Sequence, residues 1–62
     1  MNRTPDQILR LALQKEKAAY EFYSEACSET KVDMIRELLE ALRNEEAKHI
    51  KLIEKKLVEI QR

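Results

Sequence analysis

Residues 39–57 read LEALRNEEAKHIKLIEKKL and follow the periodicity of an amphipathic helix, except at Glu46 and His49. The apolar face on either side of that pair is formed by Ile35, Leu39, Leu42, Ile53, Leu57 and Ile60. These residues recur every three or four positions, so Glu46 and His49 stand where the pattern calls for apolar side chains. A carboxylate in a helix core costs on the order of several kcal/mol unless it is paired, protonated or bound to a metal. The sequence therefore predicts a compensating partner for Glu46.

An earlier segment also follows a helical pattern, and its apolar face contains one acidic residue, Glu16. Thr4, Pro5 and Gln7 form a helix start, with Thr4 as the cap, Pro5 at the first helical position and Gln7 completing a capping box. The inward face of this helix is Leu9, Ala12, Glu16, Ala19, Tyr23 and Ala26. The pattern predicts a helix from about residue 5 to about residue 28, with further apolar residues that make its face too wide for a single neighbouring helix.

Residues 28–31 are the only polar interruption between the two apolar patterns, and they predict a short turn. Thr30, with Asp33 three residues later, predicts a cap for the second helix, which then runs from about residue 31 to about residue 61. A short turn makes the helices antiparallel neighbours. The sequence thus predicts an all-α chain in which residues 1–62 form one helical hairpin.

Composition limits both the stability and the partners of such a hairpin. A chain of 62 residues buries a small core, and its one cysteine excludes an internal disulfide, so a metal or a partner chain is expected to stabilise it. Twelve basic and twelve acidic residues balance, which argues against a nucleic acid partner. The sequence has neither a membrane-spanning run nor a signal-peptide pattern at its start, and its lone cysteine suits a reducing compartment. We expect a cytoplasmic protein with no membrane partner.

The three polar residues on the apolar faces are predicted to meet at one level of the hairpin. Glu16 precedes Thr30 by 14 residues, whereas Glu46 and His49 follow it by 16 and 19. At a rise of about 1.5 Å per residue they lie roughly 21, 24 and 28 Å from the turn. This spacing puts all three within about one helical turn of each other. The adjacent Glu45 would take the inward place of Glu46 if the helix were slightly rotated.

Carboxylate oxygens and an imidazole nitrogen form a donor set that suits iron, manganese or zinc better than calcium or magnesium. Glu46 and His49 are three residues apart and share a helix face, and Glu16 would add a third ligand from the first helix. Such a hairpin leaves the site open on one side. A two-fold pairing of two copies would form a four-helix bundle with four glutamates and two histidines, enough to hold two metal ions. Four carboxylates and two divalent ions would also balance in charge.

The segment EKAAYEFY at residues 16–23, followed thirty residues after Glu16 by Glu46-Ala-Lys-His49, resembles the ferritin-like superfamily. The similarity is to the rubrerythrin-type and encapsulated-ferritin branch and covers nearly the whole chain. It implies a half-length member that dimerises, or forms a larger homo-oligomer, to complete a ferritin-like four-helix bundle. By position, it implies that Glu16 is a ligand, Glu46 a bridging ligand and His49 a terminal nitrogen ligand. It also implies that Tyr23 hydrogen-bonds a ligand carboxylate.

The function that this resemblance implies is non-haem di-iron oxidoreduction. Two iron ions per dimer, replaceable by manganese or zinc, would be held by Glu16, Glu46 and His49 as catalytic and metal-binding residues. Fe(II) would be oxidised by O2 or peroxide, as in a ferroxidase or a rubrerythrin-like peroxidase. The alternative from the residues alone is a metal-free or zinc-stapled helical dimer that acts as an assembly or interaction module.

Two departures from the family limit this transfer. The chain has no Cys-x-x-Cys motif, which rubrerythrins use in a separate iron-binding domain, so an internal electron carrier is not expected. It also lacks a segment like the docking peptide of encapsulated ferritins, so the sequence does not support encapsulation in a shell protein and leaves that question open.

Overall fold

The computed structural model describes residues 2–61, and over that range it contains two α-helices and no strand. Helix α1 spans Pro5–Glu29 and helix α2 spans Asp33–Ile60. The three residues between them turn the chain back, so that α2 packs antiparallel along α1 in a hairpin about 45 Å long. The predicted all-helical hairpin is confirmed. Over the described range, neither helix combines the length and the hydrophobicity that crossing a membrane requires.

The start of α1 is fixed by the capping box that the sequence predicts. The Thr4 hydroxyl accepts a hydrogen bond from the Gln7 backbone N–H at 3.1 Å, and the Gln7 side-chain oxygen accepts one from the Thr4 N–H at 2.9 Å. Pro5 occupies the first turn, where a missing N–H removes no helical hydrogen bond. Two of the N–H groups that a helix start leaves unpaired are therefore satisfied locally.

The start of α2 differs from the prediction, which assigned the cap to Thr30. The residue before α2 is Val32, which makes no side-chain capping bond. Thr30 instead has extended backbone angles and uses its hydroxyl within the loop, where it accepts a hydrogen bond from the Val32 N–H at 3.2 Å. The loop comprises residues 30–32, so α1 extends to Glu29. Helix α2 begins at Asp33, two residues later than predicted.

The hairpin is a single layer of two helices, 12 Å thick between Cα positions. Leu57, at 8% exposure, is the one buried side chain among residues 2–61. The other apolar side chains between the helices are only half-buried, and they include Leu9, Ala12, Leu13, Ala19, Leu39, Leu42, Ile50 and Ile53. A lone hairpin therefore has little core, as its length predicts.

One broad side of the hairpin carries a set of exposed apolar residues. Ile8, Leu11, Phe22, Leu38 and Leu52 are between 38% and 65% exposed, and each directly precedes a half-buried residue of the inter-helix contact. In a right-handed helix, the residue before an inward-facing residue lies about a quarter turn to one side of it. When two such helices are antiparallel, this side is the same broad side of the pair for both helices. These five residues therefore share one surface, which we call the open face. The wide apolar face that the sequence predicts for α1 belongs partly to this surface.

The N-terminal turn of α1 gives a pH-dependent prediction. Asp6 accepts a hydrogen bond from Arg10 Nε at 2.8 Å, and this bond, with the charge of Arg10, holds the pKa of Asp6 below its ordinary value. A lowered pKa adds stability that is complete above the unfolded-state value and is lost as pH falls through the folded-state value. We expect Asp6→Asn to lower the thermal midpoint, followed by circular dichroism, at neutral pH and to have no effect at about pH 2. An equal effect at both pH values would contradict the role of the ionised carboxylate.

Candidate metal centre

The structure brings Glu16 of α1 together with Glu46 and His49 of α2, near the middle of the hairpin. Each side chain offers one donor atom, and these three atoms lie within 4.8 Å of one another. His49 Nδ1 is 3.6 Å from Glu16 Oε2 and 3.7 Å from Glu46 Oε2. Both distances exceed those of hydrogen bonds, so the imidazole is close to the carboxylates without bonding to them.

The rotation of α2 decides which of two adjacent glutamates faces inward. The Glu46 side chain is 17% exposed, whereas that of Glu45 is 58% exposed and pairs with Lys48 at 3.3 Å. The sequence leaves this choice open, because a small rotation of the helix would exchange the two residues. In the structure Glu46 lies between the helices and Glu45 lies in solvent as part of a surface ion pair.

One oxygen of Glu46 is buried without a hydrogen-bond partner. Glu46 Oε2 and Arg36 Nε are the two buried side-chain polar atoms in residues 2–61 that have no such partner. Leaving a buried polar group unsatisfied costs about 1–3 kcal/mol, and more if the group is charged. Because Glu46 Oε2 points toward the donors of Glu16 and His49, a cation bound among the three would compensate its burial.

The two separations between His49 and the carboxylates are compatible with a bound metal ion. Two nitrogen or oxygen ligands that each bind an ion at about 2.1 Å can lie no more than about 4.2 Å apart. The two separations from His49 Nδ1, 3.6 and 3.7 Å, are within this limit. Two carboxylates and one imidazole form a mixed oxygen and nitrogen set, which transition metals accept readily. The donor types, and both separations from His49, therefore fit an ion of the predicted kind.

The three side chains of the site differ in exposure. Glu46 is 17% exposed, Glu16 is 30% exposed and His49 is 47% exposed. His49 directly precedes the half-buried Ile50, so it lies on the same side of α2 as Leu52. Three donors would not complete the coordination of an iron ion, and the most exposed of them, His49, lies on the side of the open face. Further ligands would have to approach across the open face.

Tyr23 lies on the inter-helix side of α1 but, within residues 2–61, donates no hydrogen bond to a carboxylate. Its ring packs edge-to-face against Phe22, with centroids 5.5 Å apart. Over residues 2–61 no hydrogen bond joins the Tyr23 hydroxyl to Glu16, Glu46 or another group. Its hydrogen bond to a ligand carboxylate stays a prediction, and in an assembly of two chains the acceptor would belong to either copy.

Comparison with family models, with characterised proteins and with solved structures finds no match for this chain. The resemblance to ferritin-like proteins therefore stays a prediction from the motif residues and their spacing. The geometry of Glu16, Glu46 and His49 is independent of that similarity, because it follows from the hairpin alone.

Proposed function

We propose that this chain is a non-haem di-iron oxidoreductase that oxidises Fe(II) with O2 or peroxide at a site shared between two copies. The observation that carries the proposal is the buried, unpartnered Glu46 Oε2, which lies beside the donors of Glu16 and His49. A hairpin that needed these residues only for packing would be more stable with apolar residues there. Their presence on an otherwise apolar face supports a function that needs cation ligands.

A second copy accounts for two features of the isolated chain. The open face leaves large apolar side chains in solvent, among them Phe22 at 63% and Leu52 at 65% exposure. The three donors leave the coordination of a metal incomplete on that same side. Pairing two copies face to face would cover the apolar residues in a four-helix bundle. It would also assemble four carboxylates and two imidazoles. Two divalent ions would balance the formal charge of about −4 on these groups.

The chain's own residues would bind, orient and shield the substrate iron. Glu16 and Glu46 would supply anionic oxygens that offset the rise in charge from Fe(II) to Fe(III), and His49 would supply a neutral nitrogen from the outer edge of the site. Two Fe(II) ions supply the two electrons that reduce peroxide to water or O2 to hydrogen peroxide. The apolar residues around the site would exclude bulk water. Since the chain's single cysteine, Cys27, is a free thiol, we place this activity in the cytoplasm.

Iron loading tests the proposal directly. Protein that is incubated anaerobically with Fe(II) and freed of excess metal should retain about one iron per chain and have the solution mass of a dimer or a larger assembly. Admission of air should then produce an absorption change in the near-ultraviolet and visible spectrum as Fe(III) forms. Absence of retained iron would contradict the proposal. Retained iron that does not oxidise faster than free Fe(II) would contradict it as well and would favour a metal-stapled assembly module.

A further inference from the structure

A surface cavity borders the first two turns of α1, outside the metal centre. It has a volume of about 390 Å³ and is lined by Arg3, Gln7, Arg10 and Leu11. Arg10 directly follows the half-buried Leu9, so it lies on the side of α1 away from the open face. A second copy on the open face would therefore leave the Arg10 side of this cavity in solvent.

The polar walls of the cavity offer hydrogen-bond donors. Arg10 donates from Nε to Asp6 at 2.8 Å. In the part of the chain that the structure describes, no acceptor binds its two Nη groups or the guanidinium of Arg3. Gln7 uses its side-chain oxygen in the capping box, so its amide nitrogen remains to donate. Leu11 adds an apolar wall beside these donors.

The charged groups at the cavity are two cations and one anion, which leave a formal charge of +1. Arg3 and Arg10 are the cations, and Asp6 is the anion, because its hydrogen bond with Arg10 holds its pKa below the ordinary value. The surrounding half of the hairpin, residues 2–17 and 47–61, has eight basic and four acidic side chains, a formal charge of +4. A positive potential raises the local concentration of anions. A singly charged anion is therefore the ligand that this region favours.

The size of the cavity limits this ligand to a small molecule. A volume of 390 Å³ is about thirteen times the roughly 30 Å³ that a water molecule occupies in the liquid. That space holds a molecule of about ten non-hydrogen atoms together with some solvent. The apolar wall requires that part of the molecule be apolar as well.

We propose that this cavity binds a monoanionic carboxylate with a compact apolar body. The carboxylate would lie between the guanidinium groups of Arg3 and Arg10, whose planar forks bind carboxylates through paired hydrogen bonds. The Gln7 amide would donate to the same oxygens, and the apolar body would lie against Leu11. A phosphate monoester suits the cavity less, because it carries about −1.5 to −2 charges at neutral pH. The inference goes beyond the proposed function, since it requires neither iron nor a second copy.

Benzoate is a suitable probe, because it has the required size, one negative charge and a compact apolar ring. The metal-free full chain is titrated with benzoate at low ionic strength and followed by two-dimensional NMR. We expect the side-chain amide of Gln7 and the methyl groups of Leu11 to shift with a dissociation constant of about 1 mM or below, an affinity typical of a ligand with about ten atoms. No shift at these groups in about 10 mM benzoate would overturn the inference.

Two matched ligands test the charge and the apolar body separately. Benzamide has the shape of benzoate without the charge, and acetate has the charge without the ring. Each should bind at least about tenfold more weakly, because each loses one of the two kinds of contact. Benzamide that binds as tightly as benzoate would overturn the carboxylate assignment. Acetate or inorganic phosphate that binds as tightly would reduce the cavity to an unselective cationic patch and overturn the inference.

A pair of protein variants tests the location. Arg3→Gln should weaken benzoate binding about tenfold, because it removes a charged donor, and it should leave the helical circular dichroism unchanged. Lys17→Gln removes one positive charge from the same half of the hairpin but outside the cavity lining, and it should change the affinity by less than about twofold. Equal losses in both variants would show that only the overall positive charge matters and would overturn the site.

The results also separate this inference from the proposed function. A failure of benzoate to bind would leave iron oxidation intact. Binding of benzoate, with the expected variant pattern, by a protein that retains no iron would support the cavity and contradict only the proposed oxidation.

Discussion

Replacing Glu46 with alanine is expected to lower the affinity for Fe(II) by more than about 100-fold. Loss of a group that only supports a metal ligand commonly costs 10-fold to 100-fold, and removal of a ligand itself costs more. In a two-fold assembly the substitution removes two donors at once. The variant should retain no iron after anaerobic loading and should oxidise Fe(II) no faster than buffer. Metal analysis and the change in absorbance on exposure to air measure both effects.

Another glutamate of the same helix provides a matched control for this variant. Glu40→Ala removes the same chemical group from an exposed side chain that follows the half-buried Leu39 and therefore lies on the side of α2 away from the open face. It should bind and oxidise iron like the parent protein. The two variants also differ without metal: Glu46→Ala should unfold at a higher temperature than the parent, because it removes a buried and unpartnered oxygen. Equal loss of iron binding in both variants, or in neither, would contradict the assignment of Glu46.

Replacing Leu52 with lysine is expected to abolish dimerisation at concentrations where the parent chain is fully paired. Leu52 is 65% exposed in the single hairpin and lies on the open face. Fully burying a leucine contributes about 1.5–3 kcal/mol, and 65% of Leu52 is left to bury. A two-fold interface therefore loses about 2–4 kcal/mol, which amounts to a roughly 25-fold to 600-fold weaker dimer at about 1.4 kcal/mol per tenfold. Sedimentation equilibrium measures the dissociation constant. Helical circular dichroism should fall in parallel, because the unpaired hairpin has little core.

Val58→Lys is the corresponding control on the same helix. Val58 is 54% exposed, similar to Leu52, but it follows the buried Leu57 and therefore lies on the side of α2 away from the open face. This variant should dimerise like the parent chain. A dimer that tolerates Leu52→Lys but dissociates on Val58→Lys would place the interface on the other side of the hairpin, where His49 could not contribute to a shared site.

Much of this architecture follows from local rules that act within a few residues. The capping box of Thr4 and Gln7 is visible in the sequence because its partners are three residues apart. The meeting of Glu16 with Glu46 and His49 is predictable because helices have a fixed rise, so equal distances from a turn mean equal levels. The choice between Glu45 and Glu46 is not predictable in this way. It depends on the rotation of α2, which the packing of the whole helix sets.

Other features depend on contacts that no local pattern specifies. Threonine is a common helix-capping residue, yet the Thr30 hydroxyl accepts a hydrogen bond from Val32 within the loop, because the chain must reverse over three residues. The predicted hydrogen bond of Tyr23 would need a suitably placed acceptor, and the single hairpin does not provide one.

With Leu57 as the one buried side chain in residues 2–61, folding and pairing of this chain are expected to be a single bimolecular event. The rate of forming native protein would then rise with the square of the chain concentration, and chains made in small amounts would stay open to proteases. A metal ion that binds only the paired form would slow their degradation. The abundance of this protein would then respond to the supply of its own metal without a separate sensor.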